Sequence, residues 1–187
     1  MDKKKIKKLN LGCDRDYKEG WVNLDFHKNL KCDVVHNLNK FPWPFKDNEA
    51  DFILMNHVLE HLDDVPRVMK ELWRISKPGA IIRITVPYFN NFNAYRDATH
   101  KQFFTWDTLT PFTGRVSSRE KKNVGYLPKL FSYRRRKLIW ASTQRILLKP
   151  IVGFMNWLVN LSPDFMERRI PFWITVEALT VELRVKK

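Results

Sequence analysis

The sequence has few of the residues that crosslink or interrupt a small domain. Its 187 residues include two cysteines, Cys13 and Cys32, and six glycines. The cysteines form no CxxC pair and no cluster with histidine at a ligand spacing, so the sequence predicts neither disulfides nor a metal site. The hydrophobic share of 44% is enough for one core. We therefore expect a single domain over residues 1–187.

Long apolar runs are also absent. The mostly apolar stretch at 146–161 is interrupted by Lys149 and Pro150, and it is too short to span a bilayer. Residues 1–8 are mostly charged and lack a signal-peptide pattern, so we expect a cytoplasmic protein. Two interpretations of 146–161 remain open. In the first, the segment lies on an anionic membrane surface and the protein is membrane-associated. In the second, the segment packs on its own sheet or on a second subunit of a homodimer.

Acidic residues are scarce relative to basic ones. The chain has 34 Lys and Arg against 20 Asp and Glu, which gives a formal net charge of +14. Residues 115–149 contain eleven of these cations and one acid, Glu120. Such a field attracts nucleic acid, anionic lipid or an anionic substrate, although a solvated basic face also serves solubility alone. The charge therefore leaves nucleic acid open as a partner and identifies none.

The hydrophobic pattern predicts an α/β domain. A helix at 65–76 has apolar residues at helical spacing, Asp63 or Asp64 as its cap and Pro66 in the first turn. Strands are predicted at 6–11, 21–25, 32–38, 51–55, 80–86, 131–140 and 178–185. This order favours a doubly wound, mostly parallel sheet with an antiparallel C-terminal strand and a basic, apolar insertion at about 111–173.

The first two connections are unusually short. About nine residues separate the first and second predicted strands, and about six separate the second and third. A crossover helix normally needs a dozen or more residues. We therefore expect shortened first crossovers, with little cover on that side of the sheet unless a second subunit supplies it.

Gly12 and Asp25 follow neighbouring predicted strands, thirteen residues apart. A glycine lets a ligand approach the backbone, and a carboxylate can accept hydrogen bonds from both ribose hydroxyls. A dinucleotide site would need Gly-x-Gly-x-x-Gly opening a full helix, for which the chain has neither the glycines nor the length. The pattern favours a nucleoside ligand without a pyrophosphate.

Five ordered motifs resemble one family. They are Leu9-Asn10-Leu11-Gly12-Cys13, Gly20-Trp21-Val22-Asn23-Leu24-Asp25, Phe45-Lys46-Asp47-Asn48-Glu49-Ala50-Asp51-Phe52-Ile53, His57-Val58-Leu59-Glu60-His61 and Pro78-Gly79-Ala80. In order and spacing the chain resembles the class I S-adenosylmethionine-dependent methyltransferases related to the type 11 group, over about residues 6–88. The resemblance implies a Rossmann-like fold, S-adenosylmethionine as cofactor, and methyl transfer to an unidentified O, N or C acceptor.

The resemblance also implies roles for residues at the cofactor site. The methionyl and ribose part would lie against the backbone of Leu11, Gly12 and Cys13, with Asp25 on the ribose hydroxyls. The adenine would lie near Phe26, Asn37 and Leu38, and the sulfonium near Asn56, His57 and Val58. Many relatives have a second glycine where this chain has Asp14. Its carboxylate would either meet the cofactor's ammonium group or cap a short helix.

The segment at 87–105, here called the acceptor loop, would cover the acceptor. Its Asp97-Ala98-Thr99-His100 and Phe104-Thr105 resemble an Asp-Pro-Thr-His…Phe-Thr segment of many relatives. His100, with Asp97, is the candidate base, and Tyr88, Thr99 and His100 are candidate substrate contacts. The alternative is that Asp97, Thr99 and His100 hold the loop together by hydrogen bonds.

The acceptor and the activity leave further alternatives open. The basic, apolar insertion favours an anionic or lipid-linked acceptor, although a small soluble metabolite remains open. A different class of function also remains open, namely an inactive protein that binds S-adenosylmethionine or a basic protein that docks on nucleic acid or membrane.

Overall fold

One seven-stranded sheet organises the part of the chain that the structure, a computed structural model, describes: residues 6–114, 129–141, 148–169 and 173–187. The strands are β1 (Lys8–Leu11), β2 (Val22–Asp25), β3 (Val34–Val35), β4 (Ala50–Asn56), β5 (Ser76–Pro87), β6 (Phe131–Ile139) and β7 (Ala178–Val185). Their order is β3-β2-β1-β4-β5-β7-β6. The first five pair in parallel, and β7 pairs antiparallel with both β5 and β6. The predicted fold class is confirmed.

No helix forms in residues 12–21 or 26–33, which join β1 to β2 and β2 to β3. Turns replace the helices, with the amide of Asp16 donating to the carbonyl of Cys13 at 2.8 Å and the amide of Leu30 donating to the carbonyl of His27 at 3.2 Å. The shortened crossovers are therefore confirmed. On one face of the sheet the Arg83 side chain is 46% exposed and lies over the Phe52 ring. Cover by a second subunit stays a prediction.

The helix α1 (Val65–Ile75) packs on the other face of the sheet. The Asp64 carboxylate caps it by accepting a hydrogen bond from the Arg67 amide at 2.9 Å, and Pro66 lies in the first turn. The side chains of Val68, Met69, Leu72 and Ile75 are fully buried. The predicted helix is confirmed, with Asp64 as its cap.

The proline-containing loop at 41–45 completes the core beside α1. The Trp43 ring is buried and stacks on Phe41, and its indole N–H donates to the Leu38 carbonyl at 3.0 Å. The Trp43 amide donates to the Glu71 carboxylate on α1 at 2.6 Å. An apolar loop without regular structure is thus fixed by side-chain hydrogen bonds.

The helices α2 (Lys149–Leu161) and α3 (Pro163–Arg169) follow β6. The polar side of α2 lies against β6, an edge strand. Asn156 accepts from the Trp140 amide at 2.7 Å, and Asn160 accepts from the Leu138 amide at 2.8 Å and donates to its carbonyl at 2.7 Å. The side-chain amides of the two asparagines thus form hydrogen bonds with backbone groups that an edge strand otherwise leaves unpaired.

The apolar side of α2 faces away from the sheet. Ile151, Phe154, Trp157 and Leu161 are each more than half exposed, whereas Val159 is buried. The described residues 148–161 thus pack on their own sheet, as one interpretation predicted, but through the asparagines rather than through the apolar face. Residues 146–147 and much of the basic run at 115–149 lie outside the described residues. Within the described ranges, no helix has the length and hydropathy needed to cross a membrane.

Candidate cofactor and acceptor site

The turn after β1 is bonded directly to the next strand. The amides of Gly12 and Cys13 both donate to the Leu24 carbonyl, at 2.8 and 3.0 Å. These amides are therefore occupied, whereas a phosphate site needs backbone N–H groups that point at the anion. The turn therefore suits a ligand that has no phosphate. The predicted cofactor, which carries a positive sulfonium, is such a ligand.

Gly12 is required by two independent features of this turn. Its φ angle is +69°, and a Cβ atom there would lie 2.4 Å from Cγ2 of Val58, which follows β4. A side chain at position 12 would therefore strain the backbone and push away the turn that follows β4. The contact places the two turns against each other at the carboxyl ends of β1 and β4.

We expect Gly12→Ala to lower the free energy of unfolding by about 2–3 kcal/mol, because it combines left-handed strain with the overlap at Val58. Gly79→Ala is a matched control, since Gly79 has φ +78° with no atom within 4 Å of the added Cβ. It should cost about 1 kcal/mol. Urea unfolding measures both variants, and equal losses would contradict a specific contact between Gly12 and Val58.

Asp25 ends β2 and is 4% exposed. Its two carboxylate oxygens accept hydrogen bonds from the amides of Asp14, at 2.9 Å, and His27, at 3.0 Å. Each oxygen retains a second lone pair for a ribose hydroxyl. The structure thus fixes the orientation of Asp25, and its contact with ribose stays a prediction.

Asp14 is exposed and has φ +42°. Since no helix follows it before β2, its carboxylate caps none, and the cap alternative is excluded. The remaining prediction is a contact with the cofactor's ammonium group.

The side chains predicted to contact the adenine differ in exposure. Phe26 is 60% exposed beside Asp25, so its ring is available for stacking. Asn37 is exposed and accepts a hydrogen bond from the Asn39 amide at 2.9 Å. Leu38 is buried in the core, and its carbonyl accepts from Trp43, so it offers little surface to an adenine.

Cys13 contributes backbone and packing rather than a reactive thiol. Its side chain is buried, and burial together with the Asp25 charge raises the pKa of the thiol to about 11. A thiol with that pKa is protonated at neutral pH and is a poor nucleophile. The prediction for Cys13 as part of the cofactor turn therefore concerns its backbone.

An open cleft of about 450 Å³ lies between the turn after β4 and the acceptor loop after β5. The amides of Lys101 and Gln102 hold the two together by donating to the Glu60 carbonyl, at 2.8 and 3.1 Å. The cleft is lined by His57, Glu60, His61, Pro87, Asn93, Arg96, Asp97, His100 and Glu177. Of the residues predicted after β4, Asn56 and His57 are exposed, His57 lines this cleft and Val58 lies beneath Gly12.

A chain of hydrogen bonds orders the acceptor loop beside this cleft. The Asp97 carboxylate accepts from the amide and the hydroxyl of Thr99, at 2.8 and 2.7 Å. These bonds lower the pKa of the Asp97 carboxyl. The Thr99 hydroxyl also lies 2.9 Å from Nδ1 of His61, and Nδ1 of His100 lies 3.0 Å from the Ala94 carbonyl. The structure therefore supports the alternative that these residues hold the loop together.

One predicted acceptor-side contact is wrong, and the other predicted residues already have hydrogen-bond partners. Asp97 accepts from Thr99, and Nδ1 of His100 is bonded to Ala94, so the catalytic roles of Asp97 and His100 stay predictions. The Thr99 hydroxyl is engaged between Asp97 and His61. Tyr88 is 1% exposed and donates to the Glu167 carboxylate at 2.7 Å, so it joins the acceptor loop to α3 and does not line the cleft.

Glu60 and His61 are among the cleft residues to which the sequence predictions gave no role. Glu60 and His61 lie in a 3₁₀ turn at Leu59–His61, and the fold brings them to His100. Their sequence signal was the His57-to-His61 motif, but no spacing rule connects that motif to a histidine 39 positions later. The contact depends on the loop hydrogen bonds to the Glu60 carbonyl.

Comparison with known proteins shows which family part of the chain resembles. A family model of a methyltransferase domain matches residues 16–84. A 2-phytyl-1,4-naphtoquinone methyltransferase of Nostoc sp. is 30% identical over 83 residues, which are 44% of this chain and 35% of the relative. A demethylmenaquinone methyltransferase of Oceanobacillus iheyensis is 22% identical over 120 residues, covering 57% of this chain and 49% of the relative. These matches span about a third to a half of the relatives' length.

Solved structures show the same fold. A SAM-dependent methyltransferase from Archaeoglobus fulgidus aligns with a TM-score of 0.58 and 16% identity, covering 97% of this chain and 87% of the other. One from Mesorhizobium loti aligns with a TM-score of 0.59 and 11% identity, covering 96% and 90%. In agreement with the predicted resemblance, residues 16–84 of this chain are therefore similar to a methyltransferase domain, and the described residues have the fold of SAM-dependent methyltransferases.

Proposed function

We propose that this chain binds S-adenosylmethionine at the turn after β1 and transfers its methyl group to an acceptor held in the adjoining cleft. One observation carries the proposal. Val58 packs against Gly12 of the cofactor turn, and the preceding residue, His57, lines the cleft. A single turn after β4 therefore separates the place predicted for the sulfonium from the place available to an acceptor.

Methyl transfer depends mainly on how the acceptor is positioned relative to the cofactor. The methyl carbon already bears a sulfonium leaving group, so holding a nucleophile in line with that carbon supplies most of the acceleration. The backbone of His57, with φ +54°, is bonded to the Thr85 carbonyl at 2.9 Å, which fixes the cleft floor. Left-handed residues other than glycine are uncommon and cluster at functional sites.

The acceptor loop offers polar groups to the acceptor. Arg96 gives the cleft one positive hydrogen-bond donor, beside the carboxylates of Glu60, Asp97 and Glu177. His100 remains the candidate base for an acceptor that bears a proton, because bonding of its Nδ1–H to Ala94 leaves Nε2 unprotonated in the neutral ring. An acceptor without such a proton needs no base.

An acceptor with an apolar chain is the class that we propose. The names of the relatives give a phytyl-substituted naphthoquinone and demethylmenaquinone as what those proteins act on. In this chain the exposed apolar side of α2 supports a lipid-linked acceptor. Transfer to a reduced, phytyl-substituted naphthoquinone in detergent micelles is therefore the first reaction to test.

The test uses cofactor labelled in its methyl group, with wild-type protein and the Asp25→Asn variant. We expect label in the lipid fraction with wild type and at least about tenfold less with the variant. Label that enters only a water-soluble fraction would contradict the lipid-linked acceptor. Cofactor binding without transfer to any lipid or soluble fraction would instead support the inactive alternative.

We infer further that α2 docks on an anionic membrane surface. Ile151, Phe154, Trp157 and Leu161 recur at helical spacing and form one exposed stripe, and Phe165 on α3 is also exposed. An apolar stripe with cations on its flanks binds in the interface of anionic bilayers. The cations that flank it are Lys149, Arg168 and Arg169, together with Arg135, Arg136 and Lys137 on β6.

Vesicle sedimentation tests this docking. The double change Phe154→Asp and Trp157→Asp should weaken binding to vesicles containing anionic lipid at least about tenfold, because it removes apolar contact and adds negative charge. Ile6→Asp is the control, since Ile6 is exposed but lies far along the chain from α2.

Two outcomes would overturn the docking proposal. Equal vesicle binding by the double variant and by Ile6→Asp would show that the stripe does not contact lipid. A homodimer that dissociates in the double variant, without vesicle binding by wild type, would assign the stripe to a second copy. Docking on nucleic acid stays a prediction, checked by gel shifts at two salt concentrations.

A further inference from the structure

Three side chains of types that can bind a metal ion lie close together in the cleft. One carboxylate oxygen of Glu60 and one ring nitrogen each of His61 and His100 all lie within 4.8 Å of one another. The rings of His61 and His100 are 4.7 Å apart and approach edge to face. Glu60 and His61 come from the turn after β4, and His100 comes from the acceptor loop.

Hydrogen bonds fix which nitrogen of each ring is free. The Ala94 carbonyl can only accept, so Nδ1 of His100 carries the proton and donates to it at 3.0 Å. The Thr99 hydroxyl donates to Asp97, so at His61 the Nδ1–H donates to Thr99 Oγ1 at 2.9 Å. In both neutral rings the lone pair is therefore on Nε2. Metal-bound histidines are held by the same arrangement, with the second ring nitrogen donating to a carbonyl, carboxylate or similar acceptor.

The carboxylate of Glu60 supplies an independent observation. The residue is 1% exposed, and its Oε2 is buried without a hydrogen-bond partner among the described residues. Its Oε1 lies 3.3 Å from Nδ1 of His57. A buried carboxylate oxygen without a partner is costly, so such an atom in a native protein calls for a bound partner.

We propose that Glu60, His61 and His100 bind a divalent first-row transition metal ion such as Zn²⁺. Two imidazoles and one carboxylate are a common ligand set for such ions, and three protein ligands leave coordination positions open. Around a bound zinc the ligand atoms would lie about 3.3–3.6 Å apart, which needs a small inward rotation of the side chains. The nearby Asp97 and Glu177 add negative charge at the cleft, and Arg96 adds one positive charge.

The open positions would face the cleft and would suit an acceptor with a hydroxyl or enol oxygen. A metal ion lowers the pKa of an oxygen bound to it, so the acceptor could be deprotonated near neutral pH without a protein base. This extension rests on the proposed methyl transfer, whereas metal binding itself does not. If Nε2 of His100 binds the metal ion, it is not free to act as the base for the acceptor.

The experiment measures Zn²⁺ and Co²⁺ binding to the full chain after dialysis against a chelator, with no S-adenosylmethionine present. We expect one ion per chain by calorimetry and a d–d absorption band with Co²⁺. A large excess of Zn²⁺ over its Kd should also raise Tm by about 5–10 °C.

Variants assign the ligands. Glu60→Gln, which keeps the side-chain shape, and His100→Ala should each weaken Zn²⁺ binding by at least about 100-fold. Thr99→Ala, which removes the partner of His61, should weaken it about tenfold. His36→Ala is the matched control, because His36 bonds to the Lys40 carbonyl outside this cleft. The affinity of His36→Ala for Zn²⁺ should equal that of wild type.

Equal Zn²⁺ binding by wild type, Glu60→Gln and His100→Ala would overturn the proposal, as would no binding by wild type. Loss of methyl transfer in His100→Ala, in a protein whose wild type transfers equally well after chelation, would overturn the role of the metal ion in methyl transfer and would support His100 as the base. Because the titration contains no cofactor, its failure leaves the methyl-transfer proposal standing.

Discussion

Replacing Asp25 with asparagine is expected to weaken the affinity for S-adenosylmethionine by about 10- to 100-fold. The predicted ribose hydroxyls would donate to a carboxylate, and hydrogen bonds to a charged group contribute about 1.5–3 kcal/mol. The substitution removes the charge and keeps one side-chain oxygen, which can accept from only one of the amides of Asp14 and His27. Calorimetric titration of wild type and variant measures the difference.

A second aspartate separates this effect from loss of structure. Asp33, before β3, accepts hydrogen bonds from the Asn23 amide at 2.7 Å and from the Tyr17 hydroxyl at 2.9 Å. The bonds from Asn23 lower the pKa of the Asp33 carboxyl. Asp33→Asn should therefore disturb the same connections and leave cofactor affinity within about twofold of wild type. Equal weakening by the two variants would contradict a direct contact between Asp25 and the cofactor.

Glu71→Ala should give the largest loss of stability, about 2–4 kcal/mol in the free energy of unfolding. Glu71 is a buried carboxylate that accepts from the Trp43 amide at 2.6 Å and pairs with Arg74 at 2.6 Å. Its removal leaves a buried N–H and a partly buried guanidinium without this partner. The loss stays below that of a fully buried pair, because Arg74 also binds Asp47 and two loop carbonyls.

This contribution depends on pH in a definite direction. Burial raises the pKa of the Glu71 carboxyl, but hydrogen bonds from Arg74 and Trp43 outweigh burial and lower it below 4.5. A group with a lowered pKa in the folded state stabilises the protein above its unfolded pKa and loses that effect as pH falls through the folded value. The stability difference between wild type and Glu71→Ala should thus be full at pH 7 and shrink below about pH 4.5.

Urea unfolding at pH 7 and at several values below pH 4.5 measures this prediction. Glu19→Ala is the control, because Glu19 is exposed and pairs with exposed Lys31, so its loss should be within about 0.5 kcal/mol. The account of the loop at 41–45 is contradicted if Glu71→Ala and Glu19→Ala cost the same at pH 7.

The sheet and α1 could be predicted because their signals are local. Alternation along a strand and the cap at Asp64 depend on neighbouring residues, and the lengths of the first connections excluded crossover helices there. The cofactor turn was predictable for a similar reason, since Gly12 and Asp25 each end a strand. The contact between Gly12 and Val58 was not predicted, because the family resemblance implied only that each lies near the cofactor.

The side of α2 that packs could not be predicted from hydropathy. Its apolar stripe suggested burial, but the edge of β6 presents open backbone groups that Asn156 and Asn160 satisfy. The contact among Glu60, His61 and His100 could not be predicted from the sequence either, because it joins two loops that are distant in sequence. The burial of Tyr88 depends on Glu167 of α3, whose docking no local pattern specifies.

Calorimetric titration of the wild-type chain with S-adenosylmethionine, its demethylated product and NAD⁺ in parallel tests the central claim most directly. We predict saturable binding of the first two at one site per chain and none of NAD⁺, because the amides of Gly12 and Cys13 are occupied by the Leu24 carbonyl. Absence of S-adenosylmethionine binding by folded protein, or tighter binding of NAD⁺, would contradict it.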